Sequence, residues 1–140
     1  MIEYRSVLII DDDKTTRNML RQMLNNLDFL KTMYVIEAQS WSEASAKIEN
    51  QQFQLIIVDF NLLPNQNNKK DTRNGLSLLK KHHEELVNNK TKVLLISGSL
   101  DQSIIQNTIK LGYKHILAKP LTPEQIEKKI RVMVTTKGNI

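Results

Sequence analysis

Short, unbroken apolar runs punctuate this chain at Val7–Ile10, Leu55–Val58, Val93–Ile96 and Ile116–Ala118, with a further apolar piece, Met33 to Ile36, between the first two. Runs of this length without an alternating polar face read as strands buried on both sides, the habit of parallel sheets. Between them the spacing becomes helical. Met19, Leu20, Met23, Leu24 and Leu27 form one apolar stripe behind Asp13, a plausible N-cap, and Ala44 and Ile48 follow a capping box at Ser40-Trp41-Ser42-Glu43. Leu76, Leu79 and Leu86 mark a third helix. Ser99-Leu100-Asp101-Gln102 and Thr122-Pro123-Glu124-Gln125 read as capping boxes that open helices with apolar faces at Ile104, Ile105 and Ile109, and at Ile126, Ile130 and Met133.

Strands and helices therefore alternate, five of each, with connections long enough for parallel crossovers. The expected class is α/β, a doubly wound five-stranded parallel sheet with five helices on its two faces. With no internal repeat and no linker, residues 1–140 read as a single domain, and the only biased segment is Asn65–Lys70.

Composition narrows the chemistry. The chain has 140 residues and no cysteine, which excludes a disulfide framework and thiolate metal sites and leaves oxygen ligands for any cation. Val7–Ile10 is too short for a signal peptide and runs straight into acids, and no apolar stretch approaches membrane-spanning length, so a cytoplasmic protein without a membrane partner is expected. Twenty Lys plus Arg against fifteen Asp plus Glu give a net charge of +5. That charge is scattered, with few aromatics interleaved, which reads as solvated helix faces rather than a nucleic-acid surface.

The strands end on reactive side chains. Val7–Ile10 runs into Asp11, Asp12 and Asp13, Leu55–Val58 into Asp59, Val93–Ile96 into Ser97, and Ile116–Ala118 into Lys119. In a parallel sheet these ends lie side by side. Three carboxylates so placed resist ionisation unless a cation shares the site, and Mg²⁺ suits them because it takes oxygen ligands and a phosphate oxygen together. Asp11, Asp12 and Asp59 with Lys119 and Mg²⁺ sum to zero charge, so an arriving phosphoryl group meets no net repulsion. Lys119 can pair with Asp59 at rest, Ser97 can donate its hydroxyl to a phosphoryl oxygen, and Gly98 leaves room for close backbone approach. Asp13, the third acid, reads as a helix cap rather than a ligand.

The acidic pair Asp11-Asp12, strand-end Asp59 with Asn61 two residues on, strand-end Ser97 and the Lys119-Pro120 pair, in this order, resemble the receiver domain of two-component response regulators, the chemotaxis-regulator or flavodoxin-like fold. The resemblance implies that Asp59 accepts a phosphoryl group from a phosphohistidine on a sensor histidine kinase or phosphotransfer protein, and that this switches a surface read by an output protein. It implies catalytic roles for Ser97 and Lys119. It implies Mg²⁺ ligation by Asp12 and Asp59 side chains, by the Asn61 carbonyl and, through water, by Asp11, and a cis Lys119–Pro120 bond. Such a protein is a phosphoacceptor that catalyses only its own phosphorylation and dephosphorylation.

Two features depart from that pattern. The segment from Asp59 to Gly75 is longer than receivers usually have, the surplus falling in Pro64–Asn74, and Ile116 stands where receivers usually place an aromatic switch residue. Tyr113 and His115 are nearby, with His115 expected at the surface. Two rival readings remain. Asp11-Asp12-Asp13-Lys14-Thr15 also satisfies the D-x-D-x-T pattern of haloacid-dehalogenase-type phosphatases, with Asp11 as nucleophile and Asp13 as acid/base; the other is a non-phosphorylated adaptor.

Overall fold

A computed structural model describes residues 6–28, 33–62 and 73–135. Five parallel strands, β1 (Ser6–Ile10), β2 (Tyr34–Ala38), β3 (Leu55–Asp59), β4 (Lys92–Ser97) and β5 (Ile116–Ala118), form one sheet in the order β2-β1-β3-β4-β5. The helices are α1 (Lys14–Asn25), α2 (Trp41–Asn50), α3 (Gly75–Lys81), α4 (His83–Asn88), α5 (Gln102–Leu111) and α6 (Pro123–Thr135). Side chains alternate through the sheet into two cores. Val7, Ile9, Leu55, Ile57, Leu94 and Ile96 pack with Leu20, Leu24, Ile126 and Ile130 of α1 and α6. Leu8, Ile10, Ile56, Val58, Val93 and Leu95 pack with residues of α2 to α5. Both faces are covered, which is why the strands read as continuous apolar runs.

The helix starts follow local capping chemistry. Asp13 accepts from the amides of Thr15 and Thr16. Thr122 Oγ1 and Gln125 Oε1 exchange bonds with each other's backbone N–H, with Pro123 in the first helical position. Ser40 caps α2 through the Glu43 amide, but the Glu43 carboxylate reaches the Gln39 N–H at 3.4 Å rather than that of Ser40.

Four expectations need correction. The third helix is two: α3 and α4 break at His82, which is buried with its Nε2 2.8 Å from Ser45 Oγ of α2 and has left helical backbone geometry. The cap of α5 is Asp101, which accepts the Ile104 amide, and not Ser99, whose backbone is tied to Ser97. Ile109 is 55% exposed, so the buried stripe of α5 is carried by Ile104 and Thr108. His115 is not a surface residue. It is only 4% exposed. Its carbonyl accepts the Leu95 amide, continuing the sheet, and alternation with Ile116 turns its ring to the face covered by α1 and α6.

Among the described residues His115 Nε2 has no hydrogen-bond partner, and burial, reinforced by Lys129, Lys114 and Lys92, pushes the imidazole down to about 4. An unfolded chain binds this proton below the ordinary histidine value of 6.5, and the folded chain does not until about 4. Stability contributed by neutral His115 is therefore complete above that ordinary value and declines on acidification, by roughly 3 kcal/mol at the acid limit. Thermal midpoints of wild type and His115→Leu at neutral pH and at a pH of about 5 should show a smaller acid-induced drop in the variant. Equal drops would assign the acid sensitivity to other groups.

The surplus at Pro64–Asn74 falls outside the described residues except for Arg73 and Asn74. Asn74 caps α3 in a reciprocal box with Ser77. The Arg73 guanidinium lies 4.3 Å from the Trp41 ring centroid.

Candidate functional site

Strand order reverses around β1: β2 lies on one side of it and β3 on the other. The crevice beyond the carboxyl ends of the strands at such a reversal is where open α/β sheets bind ligands. Here those ends carry Asp11, one residue past β1, and Asp59, the last residue of β3. Both are buried, at 1% and 4% exposure, whereas Asp12 is exposed. One carboxylate oxygen from each of Asp11, Asp12 and Asp59 lies within 4.8 Å of the others.

Lys119 supplies the counter-charge. Its Nζ donates to Asp11 Oδ2 at 3.1 Å and to Asp59 Oδ2 at 3.3 Å, so at rest it bridges both acids instead of pairing with Asp59 alone. Ser97 and Lys119 are neighbours because β4 pairs with β5 in the register Ser97↔Ala118, and the Lys119 amide donates to the Ser97 carbonyl. The Lys119–Pro120 peptide is cis. Desolvation and the Asp11 charge hold the Asp59 carboxyl above its usual range, against the pull of Lys119 and the Asn61 amide. Partial burial and Asp11 also raise Asp12. Burial alone would lower Lys119, but Asp59 and Asp11 outweigh it and raise the ammonium. One lysine thus does not fully compensate the three acids, and the residual frustration is of the kind a divalent cation relieves.

The remaining candidates take up distinct positions. The Asn61 N–H donates to Asp59 Oδ1 at 3.1 Å, fixing that carboxylate. The Ser97 hydroxyl donates to the Ser99 carbonyl at 2.7 Å and accepts from the Ser99 amide, closing the turn after β4. Among the described residues a Cβ on Gly98 would meet only Asn61 Nδ2, at 3.9 Å, in ordinary van der Waals contact. Asp13 is occupied by α1: it accepts from Thr15 N, Thr16 N and Thr16 Oγ1, bonds that pull its carboxyl below the usual range. Its place at the cap leaves no carboxylate for the acid/base role of the phosphatase pattern. Ile116 packs, partly buried, on the core shared with Tyr113. The Tyr113 hydroxyl meets His83 Nδ1 at 3.0 Å, and burial raises the phenol to about 12.

Two supports of the site were not among the candidate residues. A Cβ on Gly75 would stand 2.3 Å from the Asp59 carbonyl oxygen, so α3 begins in backbone contact with the strand end that carries Asp59, held by a Gly75 N–H bond to the Phe60 carbonyl. Arg17, buried on α1, donates from Nη1 to the Asp11 carbonyl at 2.7 Å. A sequence signal for Arg17 exists: it precedes Leu20 and Leu24 by three and seven positions, in the apolar stripe.

A family model for the response regulator receiver domain matches residues 7–131. Chemotaxis protein CheY1 of Helicobacter pylori is 25% identical over 131 residues, spanning 93% of this chain and 97% of that protein. The probable chemotaxis protein CheY of Rhizobium etli is 27% identical over 128 residues, 91% of this chain and 90% of the relative. Among solved structures, a CheY-like receiver domain protein from Methanospirillum hungatei superposes with a TM-score of 0.77 at 24% identity, covering 94% of each chain.

Proposed function

Since the chain belongs to the response regulator receiver domain family, we propose that Asp59 is its phosphoacceptor, taking a phosphoryl group from a phosphohistidine of a sensor histidine kinase or phosphotransfer protein in a Mg²⁺-dependent step. The observation that carries this reading is the sharing of one ammonium by Asp11 and Asp59 at adjacent strand ends. Three oxygen donors this close, with a single cation among them, fit Mg²⁺ by donor chemistry. Asp11, Asp12 and Asp59 would hold the ion with the Asn61 carbonyl, and it would supply positive charge to carboxylates and phosphoryl oxygens alike.

The chain's own residues do the rest by position and charge. An Asp59 carboxylate oxygen attacks phosphorus as the phosphorus–nitrogen bond breaks; the departing imidazole keeps the electron pair and takes a proton, leaving an acyl phosphate on Asp59. The Asn61 N–H holds the carboxylate in place, and Lys119, freed from two carboxylates by the change in charge, turns to the phosphoryl oxygens. Ser97 exchanges its bond to the Ser99 carbonyl for one to a phosphoryl oxygen, which opens the turn leading to α5. That turn carries Leu100, 37% exposed, so its movement alters the surface offered to an output protein. Ile116, lacking a polar tip, follows by repacking.

Residues 1–140 then act as one cytoplasmic receiver unit; no described helix is long and apolar enough to cross a membrane. The test is intact mass after incubation with acetyl phosphate. Wild type with Mg²⁺ should gain one phosphoryl mass, lost on adding a chelator before the donor, and Asp59→Asn should gain none. Labelling of Asp59→Asn at the wild-type level would move the acceptor to another acid.

A further inference from the structure

Behind the acidic turn lies a polar cluster built on Arg17, Arg21 and Glu37. Arg17 of α1 is buried, with only 11% of its side chain exposed. Its Nη1 donates to the Asp11 carbonyl at 2.7 Å and its Nε to Glu37 Oε1 of β2 at 3.1 Å. The second Glu37 oxygen is taken by Arg21, through Nη2 at 2.7 Å and Nε at 3.2 Å, and Arg21 also donates to the Val35 carbonyl. Burial would raise the Glu37 carboxyl, but Arg21 and Arg17 outweigh it and hold the group ionised. The clamp is thus one carboxylate between two guanidiniums. Arg17 alone extends it to the site.

The atom Arg17 holds is the carbonyl of the peptide joining Asp11 to Asp12. Because that peptide is planar, fixing its oxygen fixes the direction in which the chain leaves Asp11 and hence where the Asp12 carboxylate starts. On the far side of the same turn, the Asp13 amide donates to Asp11 Oδ1 at 2.9 Å, and the Asp11 amide donates to the Ala38 carbonyl of β2. The turn is therefore tied on both sides of Asp12. Asp12, exposed, has no ion partner of its own among the described residues, so its placement depends on the backbone and on the neighbouring Asp11 carboxylate.

We infer that Arg17 is a positioning residue for the cation site, orienting the Asp11–Asp12 peptide so that the Asp12 carboxylate meets those of Asp11 and Asp59 at one point. The inference rests on the metal-dependent reading above. An arginine is required because one planar fork must serve a carbonyl and a carboxylate in different directions at once; a lysine offers a single point of donation.

The experiment compares wild type, Arg17→Met, Arg17→Lys and Arg21→Met, each at a temperature where circular dichroism shows it folded. Calorimetric Mg²⁺ titration should give about tenfold weaker binding for Arg17→Met, an intermediate loss for Arg17→Lys and less than about twofold change for Arg21→Met, which loosens the same clamp without touching Asp11. In acetyl phosphate labelling, the Mg²⁺ concentration for half-maximal rate should rise in Arg17→Met while the rate at saturating Mg²⁺ stays near wild type. Without metal, hydrogen exchange at the Asp13 amide should quicken in Arg17→Met and not in Arg21→Met. Arg17→Lys carries the comparison should Arg17→Met fail to fold. Unchanged Mg²⁺ affinity in both Arg17 variants, or equal losses in Arg21→Met, overturns the inference. If wild type binds no Mg²⁺, the functional reading fails, and the exchange measurement alone decides whether Arg17 orders the turn.

Discussion

Replacing Gly75 by alanine should destabilise the protein by about 3 kcal/mol and slow phosphoryl acceptance together. The new Cβ would fall 2.3 Å from the Asp59 carbonyl oxygen and 3.0 Å from both the Asp59 carbonyl carbon and the Phe60 Cα. All three atoms are backbone, so no side-chain rotation relieves the clash. Either α3 lifts away, breaking the Gly75 N–H bond to the Phe60 carbonyl, or the end of β3 shifts and takes Asp59 out of reach of Lys119. In the first case the core contacts of Leu78 and Leu79, both fully buried, are lost as well. Thermal melts read the stability, and labelling by acetyl phosphate reads the site. A variant that melts and labels as wild type would show that α3 and the strand end are not in rigid contact.

Lys119→Met should separate binding from chemistry. Removing the ammonium leaves Asp11 and Asp59 without their shared counter-ion, at a cost of about 2 kcal/mol in the absence of metal. The same change removes the positive charge that competes with a cation for Asp11 Oδ2 and Asp59 Oδ2. Mg²⁺ should therefore bind Lys119→Met more tightly than wild type and restore much of its lost thermal stability. Labelling at saturating Mg²⁺ should nonetheless fall about a hundredfold, because the ammonium that would meet charge developing on the phosphoryl oxygens is gone and the neutral Ser97 hydroxyl does not replace it. Labelling at the wild-type rate would confine Lys119 to holding the resting site.

The sheet was legible because its strands are buried on both faces, so runs such as Leu55–Val58 stand out as continuous apolar stretches between amphipathic helices. The strand-end acids were legible for a related reason: once the runs are parallel neighbours, their last residues must converge. Features decided by tertiary partners were hidden. The helix break at His82 depends on a hydrogen bond to Ser45 of α2, which no local pattern in Leu76–Leu86 reveals. Ser99 and Asp101 both offer capping oxygens, and what separates them is the bond of the Ser99 amide to Ser97. His115 looked like a surface residue because imidazoles usually are, yet the sheet continues one residue before β5 and carries it under the helices. The Gly75 close approach joins α3 to the end of β3, and the Arg17 carbonyl contact, though it spans only six residues, depends on how α1 packs against the turn after β1, so neither is written in a local pattern.

Phosphoryl acceptance at this site comes down to one bond, an acyl phosphate at Asp59. Borohydride reduces an acyl phosphate to the alcohol, converting a phosphorylated aspartate to homoserine at that position only. Treatment of protein labelled with acetyl phosphate and Mg²⁺, followed by proteolysis and tandem mass spectrometry, should find homoserine at position 59 and unaltered aspartate at positions 11, 12 and 13. Homoserine at position 11 with Asp59 intact would contradict the account and return the site to a phosphatase-like reading.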